Sequence, residues 1–360
     1  MFRRSRSFDV AIVGGGPAGA ICALLLARGG ARVGLVQRAG YQFGGIELVS
    51  GRARRLIGQH CPDFSERAAP GVEIHETISL WGTPEPVTWN AMCNPWGPGV
   101  AVERAPFDEA LRGAADSAGA SILRGEITSA ERRSGLWQLL LHDRGADHVL
   151  ETQFLVLATG ATGRKLVGRK AVGKPVQFAL MARVGTKAPG QHHALYLELG
   201  KNGWWYALPA LDGGFFLGFC TGRDLAKHMQ KPMCNAFVEE LRGSRLLGNV
   251  LAATVPATRV IGRPAGPQSY EGIAGNGWIA VGDAAFVSNP LSGMGIDFAI
   301  ESAKLGAEAL LAARREPALA EYEEAVSEYT RRHERAGAFH HATARSFTTP
   351  VMQPLQGPPA

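Results

Sequence analysis

The chain has 360 residues, enough for two lobes with ample core. Hydrophobic residues make up 46% and charged residues 19%, the balance of a soluble globular enzyme, and no uninterrupted apolar run of about 18 residues offers a membrane span. The net charge of +6 rests mainly on dispersed arginine; with no compact basic run interleaved with aromatics, nucleic-acid binding is not expected, whereas an acidic substrate or protein partner is compatible.

Arg3-Arg4-Ser5-Arg6 and the apolar residues after it imitate a twin-arginine leader. The apolar stretch is broken by Gly14 to Gly19, however, and cleavage would destroy the turn that follows, so export is not expected. Cys22, Cys61, Cys93, Cys220 and Cys234 show no Cys-x-x-Cys spacing, which fits reduced thiols in a cytoplasm and offers no metal site.

Phe8 to Val13 reads as a buried strand, and Ile21, Leu24, Leu25 and Leu26 mark the helix after it. Between them lie Gly14, Gly15, Gly16, Pro17, Ala18 and Gly19, the strand–turn–helix context of a dinucleotide fingerprint. Gly14 permits the tight turn, Gly16 admits a pyrophosphate to the backbone, and Gly19 lets helix and strand pack. The helix start, at Pro17 and Ala18, offers free N–H groups to the anion. Arg32 to Val36 is the second strand. Where an acidic residue is expected to hold the adenosine ribose stands Gln37, followed by Arg38. Arg38 alone leaves a 2′-phosphate, and so NADP, open at this point.

Residues 71 to 100 alternate polar and apolar and are broken by prolines, as expected of strands entering a second sheet. Val102 to Asp108 contains Arg104-Ala105-Pro106-Phe107-Asp108. Phe154 to Ala158 is a strand ending in Thr159-Gly160-Ala161-Thr162-Gly163-Arg164. Ala194 to Leu199 is another strand; His192 and His193 precede it and Glu198 lies on it, either lining a pocket or exposed. Trp204, Trp205, Tyr206, Pro209, Phe215 and Phe216 lie on two expected antiparallel strands joined by Asp212-Gly213-Gly214. These aromatics would form either sheet core or the wall of a pocket for an aromatic ring.

Trp278 to Val281 is a short apolar strand ended by Gly282-Asp283. Pro290 to Gly295 then opens a helix, with Ser292, Gly293, Met294 and Gly295 leaving backbone N–H groups bare at its start. A helix N-terminus there would stabilise the anionic edge of a reduced flavin by roughly 0.3–2 kcal/mol. With the first fingerprint and the Arg104 stretch, this late motif makes the cofactor FAD. A polar amphipathic helix over 318–344 carries Tyr322, Val326 and Tyr329 on one stripe, and 347–360 is a loose proline-rich tail.

These motifs resemble the p-hydroxybenzoate hydroxylase superfamily of FAD proteins. The resemblance is strongest to the branch of flavin-dependent tryptophan halogenases and the flavoproteins that mature tryptophylquinone amine oxidases. Gly45-Ile46-Glu47-Leu48 resembles that branch's Gly-Glu segment beside the flavin, Trp81-Gly82 its Trp-Gly segment, and Ala158 to Arg164, with Gly160, its Ala-Thr-Gly-Arg strand end. Gly282 to Gly295 resembles its late motif, with Asn289 in place of aspartate and Gly293-Met294 in place of Ser-Gln. The likeness covers roughly residues 8 to 310. It implies that Glu47, Arg104 and Asp283 attend the FAD, Asp283 at the ribityl chain. It also implies an α/β fold: a Rossmann-like FAD-binding domain of the p-hydroxybenzoate hydroxylase type (1–70, 101–175, 266–315) interleaved with an antiparallel-sheet substrate domain (71–100, 176–265) and a C-terminal helix (316–346).

In this superfamily both halogenation and hydroxylation start from a flavin C4a-hydroperoxide. Halogenases deliver hypochlorous acid through a lysine between the first motif and the Arg104 region, but this chain has no lysine before Lys165. Trp204 to Pro209 matches the halogenase signature Trp-x-Trp-x-Ile-Pro only in part. The resemblance therefore implies an FAD-dependent monooxygenase that hydroxylates an aromatic, indole- or tryptophan-like group, free or bound to a carrier or peptide. The rival is a flavin dehydrogenase or reductase of the geranylgeranyl reductase type. Single-component hydroxylases carry an Asp-Gly motif where Thr159 to Arg164 stand, so a separate flavin reductase is the expected electron source.

Overall fold

The computed structural model of the protein describes residues 3–38, 44–61, 64, 70–161, 163–173, 177–185, 192–229, 233–250, 259–312, 320–324, 327–328 and 331. Its first half runs β1 (Arg3–Val13), α1 (Pro17–Arg28), β2 (Val33–Gln37), β3 (Ile46–Val49), α2 (Gly51–His60), β4 (Val72–Ile74), β5 (Glu76–Leu80), β6 (Val87–Asn90), β7 (Gly99–Glu103), α3 (Arg104–Ser117), β8 (Ser121–Arg124), β9 (Glu126–Arg133), β10 (Leu136–Asp143) and β11 (Ala146–Leu157). There follow β12 (Ala171–Val172), β13 (Gln177–Val184), β14 (Ala194–Leu199), β15 (Gly203–Pro209), β16 (Phe215–Gly222), α4 (Arg223–His228), α5 (Met233–Arg242), α6 (Leu246–Val250), β17 (Val260–Ala265), β18 (Ser269–Tyr270), β19 (Ala274–Gly275), β20 (Trp278–Ala280) and α7 (Gly295–Ala312).

The expected α/β architecture is present. An eight-stranded sheet is ordered β19-β20-β11-β1-β2-β8, with β10 and β9 added alongside β11. Its centre is parallel: β1 pairs with β11 and β2, β2 with β8, and β11 with β20. Strands covered on both faces read as continuous apolar runs, and Val10 to Val13, Val33 to Val36 and Leu155 to Leu157 do so. Helices α1, α3 and α7 enclose this sheet, and Ile21, Phe107, Leu111, Ile300 and Leu310 join its core.

The second sheet has seven strands in the order β17-β13-β16-β15-β14-β5-β6. It is antiparallel except where β14 runs parallel to β5. The predicted hairpin is there: β15 pairs with β16 from Gly203–Thr221 to Pro209–Phe215, and Gly213 turns the chain at φ 80°. Residues 71 to 100, expected to enter this sheet, divide. β5 and β6 do so, whereas β4 and β7 join β3 in a separate three-stranded sheet. Alternation then sorts the side chains. Trp205, Ala207, Leu217 and Phe219 face one side and pack with Phe237 and Leu247 of α5 and α6. Trp204, Leu208, Phe216 and Cys220 face the other and pack with Ile46, Ile74 and Ala101 of the three-stranded sheet.

Glu198 neither lines a pocket nor reaches solvent. It is buried, and its carboxylate accepts from the Ser244 hydroxyl and from the backbone N–H groups of Arg245 (2.6 Å), Leu246 (3.0 Å) and Leu247 (3.1 Å). A charged acceptor at a helix start satisfies donors that would otherwise be orphaned. The C-terminal amphipathic helix falls largely outside the described residues, as do Val326, Tyr329 and the tail. Its residues 320–324 are helical, and the buried Tyr322 hydroxyl donates to the Ala280 carbonyl at the end of β20.

Glu198→Ala should therefore destabilise the protein by about 3 kcal/mol, the cost of uncapping α6 over a buried set of donors. The flavin absorption spectrum should stay unchanged, because Glu198 lies on the sheet face turned away from Trp204. Chemical denaturation with a parallel spectrum checks both; a stability loss below about 1 kcal/mol would contradict the capping role.

Candidate functional site

The first turn is built from contacts that only glycine allows. A Cβ on Gly14 (φ 115°) would lie 2.2 Å from the Ala158 carbonyl oxygen, and one on Gly19 would lie 1.9 Å from the Gly14 carbonyl oxygen. The start of α1 is thereby pressed against the end of β11. Gly16 differs, since a Cβ there would meet nothing within 4 Å. It is the N-cap of α1, makes no side-chain cap and is followed by Pro17, so the space beside the helix start at Gly16 is open.

Gln37 flanks this turn, its Cβ 3.2 Å from the position of a Gly15 Cβ. Arg38 is turned to Glu126, 3.4 Å away in an exposed pair. Arg112 went unnoticed in the sequence. It is buried, and its guanidinium donates to the Gly15 carbonyl at 2.7 Å. The local pattern of α3 carries no signal of this long-range contact.

The late motif packs on the same helix start. A Cβ on Gly282 (φ 59°) would lie 2.7 Å from the Ala18 Cβ, and the Gly282 N–H donates to the Ser302 hydroxyl of α7 at 2.8 Å. Next to it, Asp283 is solvent-accessible, yet the surrounding protein desolvates its carboxyl. That burial, reinforced by Glu47 and opposed by Arg104, pushes it up to about 6.

Pro290, Leu291 and Ser292 form a tight turn, with the Asn289 side chain accepting from the Leu291 N–H at 3.0 Å. Gly293 is left-handed at φ 61°, and neither it nor Gly295 would bring a Cβ within 4 Å of another atom. The helix proper begins at Gly295, so Met294 and Gly295, rather than Pro290, mark its start. Ser50, which caps α2, also donates to both oxygens of Asp297 in the first turn of α7, at 3.0 and 2.9 Å.

Glu47 on β3 pairs with Arg104, whose guanidinium also holds Asp108 at 3.2 Å. Burial alone would weaken the Arg104 charge, but Glu47 and Asp108 outweigh it and raise its pKa. Gly160 follows β11 at φ 60°, and the Thr159 hydroxyl beside it accepts from the Gly163 N–H at 2.9 Å. Thr162 lies outside the described residues.

The aromatic wall expected from sequence separates into two groups. Trp204 and Tyr206 share one sheet face, ring centroids 6.0 Å apart, and Trp81 stands 6.1 Å from Trp204. Phe216 lies on this face, and Leu291 of the late motif packs against the same cluster. Trp205 is on the opposite face, tilted against Phe219 at 4.5 Å and edge-to-face with Phe237 at 5.0 Å, so strand alternation removes it from any surface that Tyr206 presents. Pro209 is buried at the end of β15, opposite Phe215. Gly218 makes room for Tyr206: a Cβ there would lie 2.0 Å from the Tyr206 ring. Burial, with Cys220 and Glu47 nearby, raises the Tyr206 phenol, which keeps its proton. The histidines turn elsewhere, His193 to the Glu73 carbonyl at 2.9 Å and His192 to the Phe215 ring.

An open glycine turn at one helix start, a second at Gly293 to Gly295, and the Asp283 carboxyl within the electrostatic reach of Glu47 and Arg104 fit an extended dinucleotide with a flavin at one end. Comparison with known proteins agrees. Residues 8–182 match the family model described as "Pyridine nucleotide-disulphide oxidoreductase". The chain is 28% identical to the "Probable electron transfer flavoprotein-quinone oxidoreductase YgcN" of Escherichia coli (strain K12), over 98% of this chain and 85% of that protein. Its fold is similar to the myxobacterial chondrochloren halogenase CndH, an FAD-dependent halogenase (TM-score 0.82, 22% identity, 93% of this chain and 82% of that one). It is similar also to the peptidyl tryptophan dihydroxylase QhpG of tryptophylquinone cofactor biogenesis (TM-score 0.78, 24% identity, 98% and 81%). The fold is that of both structures.

A carboxyl raised in the folded state binds its proton more tightly there than in the unfolded chain. Its contribution to stability is fully present below the ordinary aspartate value and is lost as pH rises through about 6. FAD-free Asp283→Asn should accordingly gain stability over the parent as pH is raised from about 4 to about 7. Urea midpoints across that range check this, and a difference that stays flat or shrinks with pH would refute it.

Proposed function

We propose that this chain, an FAD-dependent oxidoreductase, is a monooxygenase that hydroxylates an electron-rich aromatic group, indole- or tryptophan-like, free or carried on a peptide or carrier. The observation that carries the reading is the row Trp81, Trp204 and Tyr206 on the sheet face that also packs Leu291 of the late motif. Aromatic faces hold a flat ring by offset or edge contacts, with little entropy of their own to lose. The absence of lysine before Lys165 argues against halide transfer.

Bound FAD, once reduced, supplies the activation of dioxygen. The protein's own residues do the rest. The turn at Gly14 to Gly19 would hold the diphosphate, with Gln37 toward the adenosine ribose. Asp283 would serve the ribityl chain, and the Glu47–Arg104 pair, Gly160 and Gly293 to Gly295 would border the ring. The apolar cluster of Ile46, Leu208 and Phe216 keeps water from the reacting edge. The Tyr206 hydroxyl, kept protonated by burial, offers a hydrogen bond to the substrate. In this reading the eight-stranded sheet is the FAD lobe and the seven-stranded sheet the substrate lobe. A separate flavin reductase supplies electrons, in a cytoplasm where all five cysteines stay free.

A second reading, hydride or electron transfer without oxygen insertion, is favoured by the similarity to YgcN over nearly the whole chain. Turnover under labelled dioxygen separates the two. The monooxygenase puts one labelled atom into its product and forms no halogenated product when bromide is added. Substrate oxidised with no label incorporated would sink the first reading and leave the second. Mixing the purified protein with NADH or NADPH should leave the flavin yellow on the timescale of turnover; fast bleaching would remove the separate reductase.

A further inference from the structure

The phosphate turn is supported from beneath by a side chain outside the fingerprint. Arg112 projects from α3 and is only 8% exposed. One guanidinium nitrogen donates to the Gly15 carbonyl at 2.7 Å, another reaches Glu109 at 2.6 Å, and Nε has no hydrogen-bond partner although it is buried. Glu109 is itself largely exposed, with 69% of its side chain accessible, so water screens the one carboxylate this guanidinium pairs with. Burying a cation against a backbone carbonyl with a nitrogen left unsatisfied is costly, and such a group calls for a compensating role.

The bond to Gly15 fixes more than a carbonyl. Carbonyl and N–H of one trans peptide point in opposite directions. With the Gly15 oxygen drawn to Arg112, the N–H of Gly16 points away from it. The turn is open at this residue, where a Gly16 Cβ would meet nothing within 4 Å. The Gly15–Gly16 peptide has no side chains to set its orientation, and either glycine alone would rotate freely. The guanidinium therefore does two things at once. It turns a donor toward the bound anion, and it places a positive charge behind the turn, where it adds to the partial charge of the α1 start.

We propose that Arg112 is a positioning residue for the FAD diphosphate, acting through the Gly15–Gly16 peptide without touching the cofactor. A residue that merely glued α3 to α1 would affect the fold and every ligand alike. A peptide clamp affects ligands that carry the diphosphate and spares those that lack it.

The test strips the flavin from the full chain and titrates it back with FAD, with ADP as a competitor and with riboflavin, which has no diphosphate. In Arg112→Met the dissociation constants of FAD and ADP should rise about tenfold or more, the scale of one charge-assisted hydrogen bond. Riboflavin binding, far-UV circular dichroism and the unfolding midpoint of the FAD-free protein should stay those of the parent. Arg112→Lys keeps the charge but not the fork and should show a smaller loss. Glu109→Gln, which leaves the bond to Gly15 in place, should bind FAD at least as tightly as the parent. FAD binding within about twofold of the parent in Arg112→Met, an equal loss for riboflavin, or a tenfold loss in Glu109→Gln overturns the proposal. Should Arg112→Met fail to fold, the same comparison in Arg112→Lys decides, and full FAD affinity there counts against the clamp.

Discussion

The structure depends on one close approach: the backbone of the β1–α1 turn lying against the end of β11. Gly14 and Gly19 have no side chain because the Ala158 and Gly14 carbonyls already occupy that space. A methyl group at either place would have to push two main chains apart, and overpacking of this kind typically costs about 1–3 kcal/mol. The approach brings the start of α1 over the carboxyl ends of parallel strands, where open α/β sheets bind their ligands. Gly282 repeats the device, letting the late motif settle on Ala18. Two segments more than 250 residues apart in sequence are thus fixed on one helix start.

The seven-stranded sheet contributes by a different rule. Side chains alternate, so one face of β15 and β16 is committed to the core under α5 and α6 while the other meets the three-stranded sheet. Glu198, inside the first of these layers, holds the start of α6 against the sheet. The second layer joins the cofactor side through Ile46 and Leu291, which is how a strand of one sheet comes to share a cluster with the turn before α7. Gly218 sets the position of the Tyr206 ring on this face by having no side chain beneath it.

The cofactor turns were legible because glycine carries a strong positional signal: Gly14, Gly19, Gly282 and Gly293 each stand where a positive φ or a main-chain contact demands them. The hairpin around Gly213 was legible for the same reason. Contacts between distant segments were not. Nothing in the local pattern of α3 says that Arg112 reaches Gly15, or that Ser50 bonds Asp297. Glu198 sits among apolar neighbours, a pattern shared by pocket-lining and exposed carboxylates; only the fold supplies the helix start that it caps. Trp204, Trp205 and Tyr206 read as one aromatic run because composition is blind to the strand's two sides, although the period of two that separates them is itself a sequence property.

Tyr322 is buried, and its hydroxyl bonds the Ala280 carbonyl of β20, a strand that lies next to β11 in the sheet begun by β1. The sheet begun by β1 is therefore sealed only when Tyr322 docks. Until it does, the end of β20 lacks a hydrogen bond and a packed ring. Completion of this sheet thus depends on a contact of long sequence separation, which slows its closure.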